Sequence, residues 1–284
     1  MEKLAASRTA LATSLMRAAH TRLDPQPLIN DPWGDRLVPE SAKRALTSSN
    51  ESLDESLMRS RPYANVITRT RYAEDALKAA VSKGFRQYVL IGAGFDSFSL
   101  RRPAFAANLQ IFEIDFPATQ RLKIERIDAC GIALPDSVHF IEADLSKESV
   151  AAALARSSFE STRLTFFSWL GVTMYLTREA NLSTLRSIAS CSPTASEVVF
   201  TYLDERLFQA QSDSFREMQQ RVAAMGEPFL SGFNPAELAA DLATCGLDLV
   251  EDLNGSEAAA RYDRGGEHDL GQSVFSHMAL ARVT

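Results

Sequence analysis

A glycine turn and two acidic segments succeed one another through the middle of the 284-residue chain. Val89-Leu90-Ile91 runs into Gly92-Ala93-Gly94-Phe95-Asp96. Glycines after a strand let a ligand approach the backbone, and the helix that follows offers free amides. Such a turn suits nucleotide-containing ligands in general, and it also occurs as a plain tight turn. Ser97 stands where the third glycine of GxGxxG belongs, so the dinucleotide fingerprint is incomplete. About 20 residues further on, Phe112-Glu113-Ile114-Asp115 ends in a carboxylate able to accept hydrogen bonds from ribose hydroxyls. Strand alternation sends Glu113 and Asp115 to one side, Asp115 nearer the carboxyl edge. Asp115 can alternatively cap a helix beginning at Pro117. Glu142-Ala143-Asp144-Leu145 offers a carboxylate for an adenine amino group and an apolar contact for its ring. Asp144 can equally be the N-cap of a helix near residue 147.

These segments need strands and helices to hold them. Residues 4–22 carry apolar positions at helical spacing, and a proline-rich stretch through Trp33 and Gly34 ends that helix. Residues 35–48 and 52–83 read as further helices, stopped at Lys83-Gly84. From Gln87 the pattern changes. Apolar runs at 87–91, 109–115, 137–144, 164–171 and 196–203 alternate with helical stretches near 117–129, 147–157 and 177–190. That alternation predicts a parallel sheet of right-handed βαβ units. The glycine turn and the acids then fall at successive carboxyl ends, where open α/β sheets bind ligands. A polar helical segment (205–232) precedes a helix at 235–245 and strands at 247–253 and 273–283. No helix of clear period separates the last two strands, so a hairpin with an antiparallel last strand is expected. The expected organisation is one α/β domain: a helical cap (1–85), a βαβ core (86–204), a helical lid insertion (205–233) and a C-terminal αββ unit (234–284).

Composition narrows the function classes. Thirty basic against 36 acidic residues give −6, with no basic excess for nucleic acid. The three cysteines lie far apart and the four histidines form no HxxxH or HxH pair, so no metal is expected. No apolar run approaches the ~20 residues of a membrane span. The N-terminal stretch lacks the apolar core of a signal peptide. A cytoplasmic protein without a membrane partner is the expectation.

GAGFDS, FEIDFP, EADL and the fourth strand running into GVTMYLT together resemble the leucine carboxyl methyltransferase family and its bacterial S-adenosylmethionine (SAM)-dependent relatives. The resemblance extends from Arg17-Ala18 and Asp31-Pro32 through Thr68-Arg69-Thr70-Arg71 to about Asp204. It implies a class I methyltransferase (Rossmann-like) seven-stranded sheet, order 3-2-1-4-5-7-6, with SAM as cofactor and S-adenosylhomocysteine as product. Carried over, Gly92 and Gly94 line the SAM loop, Asp115 holds the ribose, and Asp144 and Leu145 bracket the adenine. Arg69 pairs with the methionine carboxylate, and Arg17 corresponds to a further basic residue near that end. Where relatives commonly carry a Glu after the fourth strand, this chain has Leu170. Arg71, two residues from Arg69 on a helix, must point elsewhere.

Methyl transfer from a sulfonium is an in-line displacement, for which positioning and water exclusion supply much of the rate. A carboxylate acceptor is already ionised at neutral pH, whereas an alcohol or phenol needs its proton removed. No His or Lys base is evident at the fourth or fifth strand, which favours O-methylation of a carboxylate or acidic hydroxyl on a small molecule. Tyr175 and Tyr202 follow or end those strands and are the candidates for positioning the acceptor. Two alternatives stay open at this level: a SAM-binding protein with a non-methylating or regulatory role, and an NAD(P)-dependent oxidoreductase.

Overall fold

The computed structural model describes residues 7–46, 52–209, 213–224, 226–268, 270–271 and 273–284. Residues 4–6 and 47–48 of the expected first helices lie outside that set. Ser7 caps α1 (Arg8–Leu23), its hydroxyl accepting the Ala10 amide at 3.1 Å. The short α2 (Gly34–Leu37), α3 (Glu40–Leu46) and α4 (Leu53–Met58) precede the long α5 (Tyr63–Ser82). Periodicity predicts one helix over 52–83, but the chain breaks it between Met58 and Tyr63. Pro62 stands in that break, and proline has no amide to continue a helical ladder.

Strands and helices then alternate: β1 (Gln87–Ile91), α6 (Phe98–Arg101), β2 (Gln110–Asp115), α7 (Pro117–Ala129), β3 (Val138–Glu142), α8 (Val150–Leu154), β4 (Thr165–Trp169), α9 (Arg178–Ser190) and β5 (Glu197–Leu203). After them come α10 (Arg206–Gln209), α11 (Asp213–Ala224), α12 (Leu238–Ala243), β6 (Leu247–Asn254), α13 (Gly255–Tyr262) and β7 (Ser276–Val283). The seven strands form one sheet in the order β3-β2-β1-β4-β5-β7-β6. β1 to β5 are parallel, and β7 runs antiparallel to both β5 and β6. Order and reversed last strand match the expectation. The connection does not: α13 separates β6 from β7, so they are not a simple hairpin. It starts at a capping box, in which the Asn254 side chain accepts the Glu257 amide and the Glu257 carboxylate accepts the Asn254 amide.

β1, β4 and β5 are buried at every position, as interior parallel strands covered on both faces must be. Period-2 alternation divides them between two cores. Val89, Ile91, Phe167, Trp169, Val198 and Phe200 pack with Leu154, Leu185 and Leu242 from α8, α9 and α12. Tyr88, Leu90, Phe166 and Val199 pack on the other face with Leu77 of α5 and Ala258 of α13. Each fully buried large side chain contributes about 1.5–3 kcal/mol, which fixes strand register against slippage. A third cluster, including Leu11, Leu15, Leu37, Val66 and Phe95, joins the cap helices to the glycine turn. No described helix is long and apolar enough to cross a membrane.

Candidate functional site

A cavity of about 420 Å³ opens at the carboxyl edge of β1 and β4, within the range of about 300–1,000 Å³ typical of small-molecule sites. Its floor is the glycine turn. Gly92 and Gly94 have φ of +66° and +52°, the left-handed region where a side chain is strained. Their bareness also serves the protein's own packing. A Cβ on Gly92 would lie 2.5 Å from the Val172 side chain, and one on Gly94 would lie 3.0 Å from Ala10 of α1. The cap thus sits directly on the turn. The Phe95 carbonyl accepts hydrogen bonds from Ser14 at 3.2 Å and from Arg17 at 2.7 Å.

Asp115 closes one side. Its carboxylate accepts the Gly94 amide at 2.5 Å and the Phe116 amide at 2.6 Å, tying the end of β2 to the turn. It does not cap α7, which has no side-chain cap. Burial pushes its pKa up to about 6 even though the two amides and Lys123 favour the ionised form. Glu113, on the same strand, is paired with Lys123 in full burial, so it holds the core and not a ligand.

Arg69 of α5 forms the opposite side. Its Nη1 donates to Asn65 Oδ1 at 3.2 Å, and no carboxylate of the described residues reaches salt-bridge distance. Burial lowers its pKa to about 10, partly offset by Tyr175, while Arg17 adds to the lowering. It remains a cation at neutral pH. Gly171, at φ +71°, makes room for it, because a Cβ there would lie 2.6 Å from the guanidinium. Arg71 points elsewhere, to Asp75 and the Leu28 carbonyl. Arg17 lines the cavity, but its guanidinium is committed to buried Asp31 at 2.9 Å and to Phe95. Burial raises the Asp31 pKa, yet the Arg17 and Arg101 guanidiniums and the Ser97 hydroxyl leave it below the usual carboxylate value.

Tyr175 and Leu170 line the cavity from the β4 side. Burial raises the Tyr175 pKa, and nearby Glu227 raises it further. Three expected residues fall outside the lining. Tyr202 is buried in the sheet, stacked on His277 at 4.7 Å, with its hydroxyl donating to Asp252 at 2.6 Å. Both faces of β5 are covered, so its side chains enter one layer or the other, and Tyr202 packs with Phe200 and Phe233 in the core and does not line the cavity. Asp144 lies two residues beyond β3, its carboxylate accepting from Ser146 and paired with Lys147 at 2.6 Å. Leu145 is partly buried and packs against the core cluster that includes Ile141, Val150 and Leu154. Neither lines the cavity.

Sequence reasoning missed Thr9, Ser168, Gly171 and Glu227, all in the lining. Gly171 had a signal, a glycine directly after a strand. Glu227 had none, because tertiary contacts alone place it. The chain after α11 is stitched to the loop after β4: the Leu230 amide donates to the Met174 carbonyl at 2.7 Å, and Ser231 donates to the Leu176 carbonyl at 2.7 Å. Phe229 packs against Tyr175 with ring centres 5.5 Å apart.

The sheet order, the reversed β7 and a cavity over the β1 turn define a class I methyltransferase fold. Two solved structures share it: a methyltransferase from Thermobifida fusca YX (TM-score 0.61, 13% identity, 95% of this chain and 94% of that one) and a DUF574 family protein from Streptomyces avermitilis (0.59, 16%, 84% and 93%). Within that class the chain belongs to the leucine carboxyl methyltransferase family, whose pattern matches residues 10–189. YktD of Bacillus subtilis, named as a SAM-dependent methyltransferase, is 33% identical over 275 residues, 89% of this chain and 90% of its own length. A Mycolicibacterium smegmatis protein of the same description is 29% identical over 222 residues, 76% of this chain and 74% of its own. The protein is a SAM-dependent methyltransferase, which sets aside the oxidoreductase alternative.

Proposed function

We propose that the cavity seats SAM and that the protein transfers the methyl group to oxygen, on a carboxylate or acidic hydroxyl of a small molecule. The observation that carries this is the pair of unlike groups, a carboxylate and a guanidinium, on either side of β1. Asp115 supplies a carboxylate at the end of β2, and Arg69 supplies a guanidinium without an acid partner beside the β4 loop. β2 and β4 flank β1, about 10 Å apart, a span suited to an elongated nucleoside bearing a carboxylate tail. Asp115 would hold ribose hydroxyls, Arg69 the carboxylate, and the Gly92–Gly94 backbone the body of the ligand. When bound, SAM supplies an electrophilic methyl carbon on a sulfonium. The chain's own residues orient and desolvate. α1 and the lid cover the glycine turn and exclude water, and Tyr175 and Leu170 wall the side on which an acceptor enters.

The walls around the cavity come from the cap, α5 and the lid, which supports an enclosed small acceptor over a polymer. Incubation with methyl-labelled SAM and a panel of phenols, catechols and carboxylic acids tests the reading. The expected product carries the label on oxygen. A label found on nitrogen or carbon contradicts it.

A further inference from the structure

We propose that Glu227 is the proton acceptor of methyl transfer, and that the methyl acceptor is a neutral hydroxyl and not a preformed carboxylate. This rests on the reading above and narrows it. The cavity has a floor and a roof. The floor, the β1 turn with Asp115 and Arg69 beside it, is what the cofactor requires. Glu227 comes from the roof, three residues before Leu230, whose amide is fixed to Met174, next to Tyr175.

Its two oxygens are treated differently. Oε1 accepts the Ser7 hydroxyl at 2.6 Å, and Ser7 in turn caps α1 and donates its amide to Thr119 at 3.2 Å. That anchorage fixes the carboxylate between three elements. Oε2 is buried and finds no donor among the described residues. A buried carboxylate oxygen without a donor is costly, so a ligand hydroxyl there is a gain. The other cavity acids are engaged: Asp115 holds two backbone amides, and Asp96 accepts the Phe98 amide at 2.7 Å. Thr9, beside Tyr175 in the same lining, adds a second polar side chain on that roof.

A hydroxyl acceptor satisfies this arrangement and a carboxylate does not, because two anions in contact repel. The step balances. The acceptor O–H bond breaks and its proton passes to Glu227 Oε2. The oxygen forms a bond to the methyl carbon, and the carbon–sulfur bond breaks with its electron pair going to sulfur. Glu227 then releases the proton to solvent.

Glu227→Gln tests this, since Gln keeps an oxygen for Ser7 and removes the base. Calorimetry with S-adenosylhomocysteine and with sinefungin, which carries an amine-bearing carbon in place of the sulfonium, reads the charge at the transfer point without needing the acceptor. The wild type should prefer sinefungin, and Glu227→Gln should lose about tenfold of that preference while S-adenosylhomocysteine affinity changes less than twofold. An unchanged preference, or a tenfold loss for S-adenosylhomocysteine itself, overturns the proposal. Failure of the wild type to bind either probe sinks the underlying reading as well, so the two failures are distinguishable. With catechol as acceptor, Glu227→Gln should lower kcat by about a hundredfold or more, as loss of a general base does. Methylation of benzoate by both forms at equal rates overturns the acceptor assignment.

Discussion

At the scale of single residues, Asp115 carries two opposed demands. Its ionised form is what a ribose diol requires, while burial makes that form costly in the unliganded protein and raises its pKa to about 6. The sign follows from which state holds the proton. Between about pH 4 and pH 6 the folded protein keeps a proton that the unfolded chain has released, so unliganded stability falls as pH rises, by on the order of 3 kcal/mol in total. Affinity for S-adenosylhomocysteine should move the other way, weakening as pH drops through about 6. Titrations at pH 5, 6 and 7.5 check this. Asp115→Ala should lose roughly tenfold to over a hundredfold in affinity at pH 7.5, about 1.5–3 kcal/mol, and show a flatter pH dependence. An unchanged dissociation constant in the folded variant would leave Asp115 only its role of tying β2 to the glycine turn.

At the scale of elements, the cap is part of the site and has its own pH dependence. His20 of α1 is fully buried, its Nε2 accepting the Leu28 amide at 2.9 Å and its Nδ1 facing Tyr63 at 2.8 Å. Burial lowers its pKa to about 4, against the pull of Asp24 and with a push from His268. A lowered folded value means stability present above about pH 6.5 and lost as pH falls towards 4. Urea unfolding of wild type and His20→Asn should show a stability gap that is largest at pH 7 and narrows by pH 5. A gap independent of pH would contradict the assignment. The elements themselves were unevenly legible. Strands were plain because β1, β4 and β5 are continuous apolar runs that end in glycine or helix signals. The break before Pro62 and the short α13 were not, because both depend on a local cap or proline inside a stretch that otherwise reads as helix or loop.

At the scale of the molecule, the sheet brings together what lies far apart in sequence. Gly92, Gly94 and Asp115 could be placed from the sequence because they fall at strand ends, and strand ends share one edge, while Leu170 came from the family resemblance. Arg69 needed the family resemblance, since nothing in its helix distinguishes it from Arg71. Tyr202 falls outside the cavity lining because strand alternation fixes sides only once the sheet's layers are known. Glu227 and Thr9 were invisible because only the docking of lid and cap onto the turn brings them to the cavity. A cavity that holds SAM with its carboxylate on Arg69 should show itself in calorimetric titration of S-adenosylhomocysteine into wild type, Arg69→Met and Arg71→Met. The expected result is one site per chain in the wild type, a loss of roughly tenfold to over a hundredfold in Arg69→Met, and no change in Arg71→Met. Equal affinities in all three proteins would contradict it.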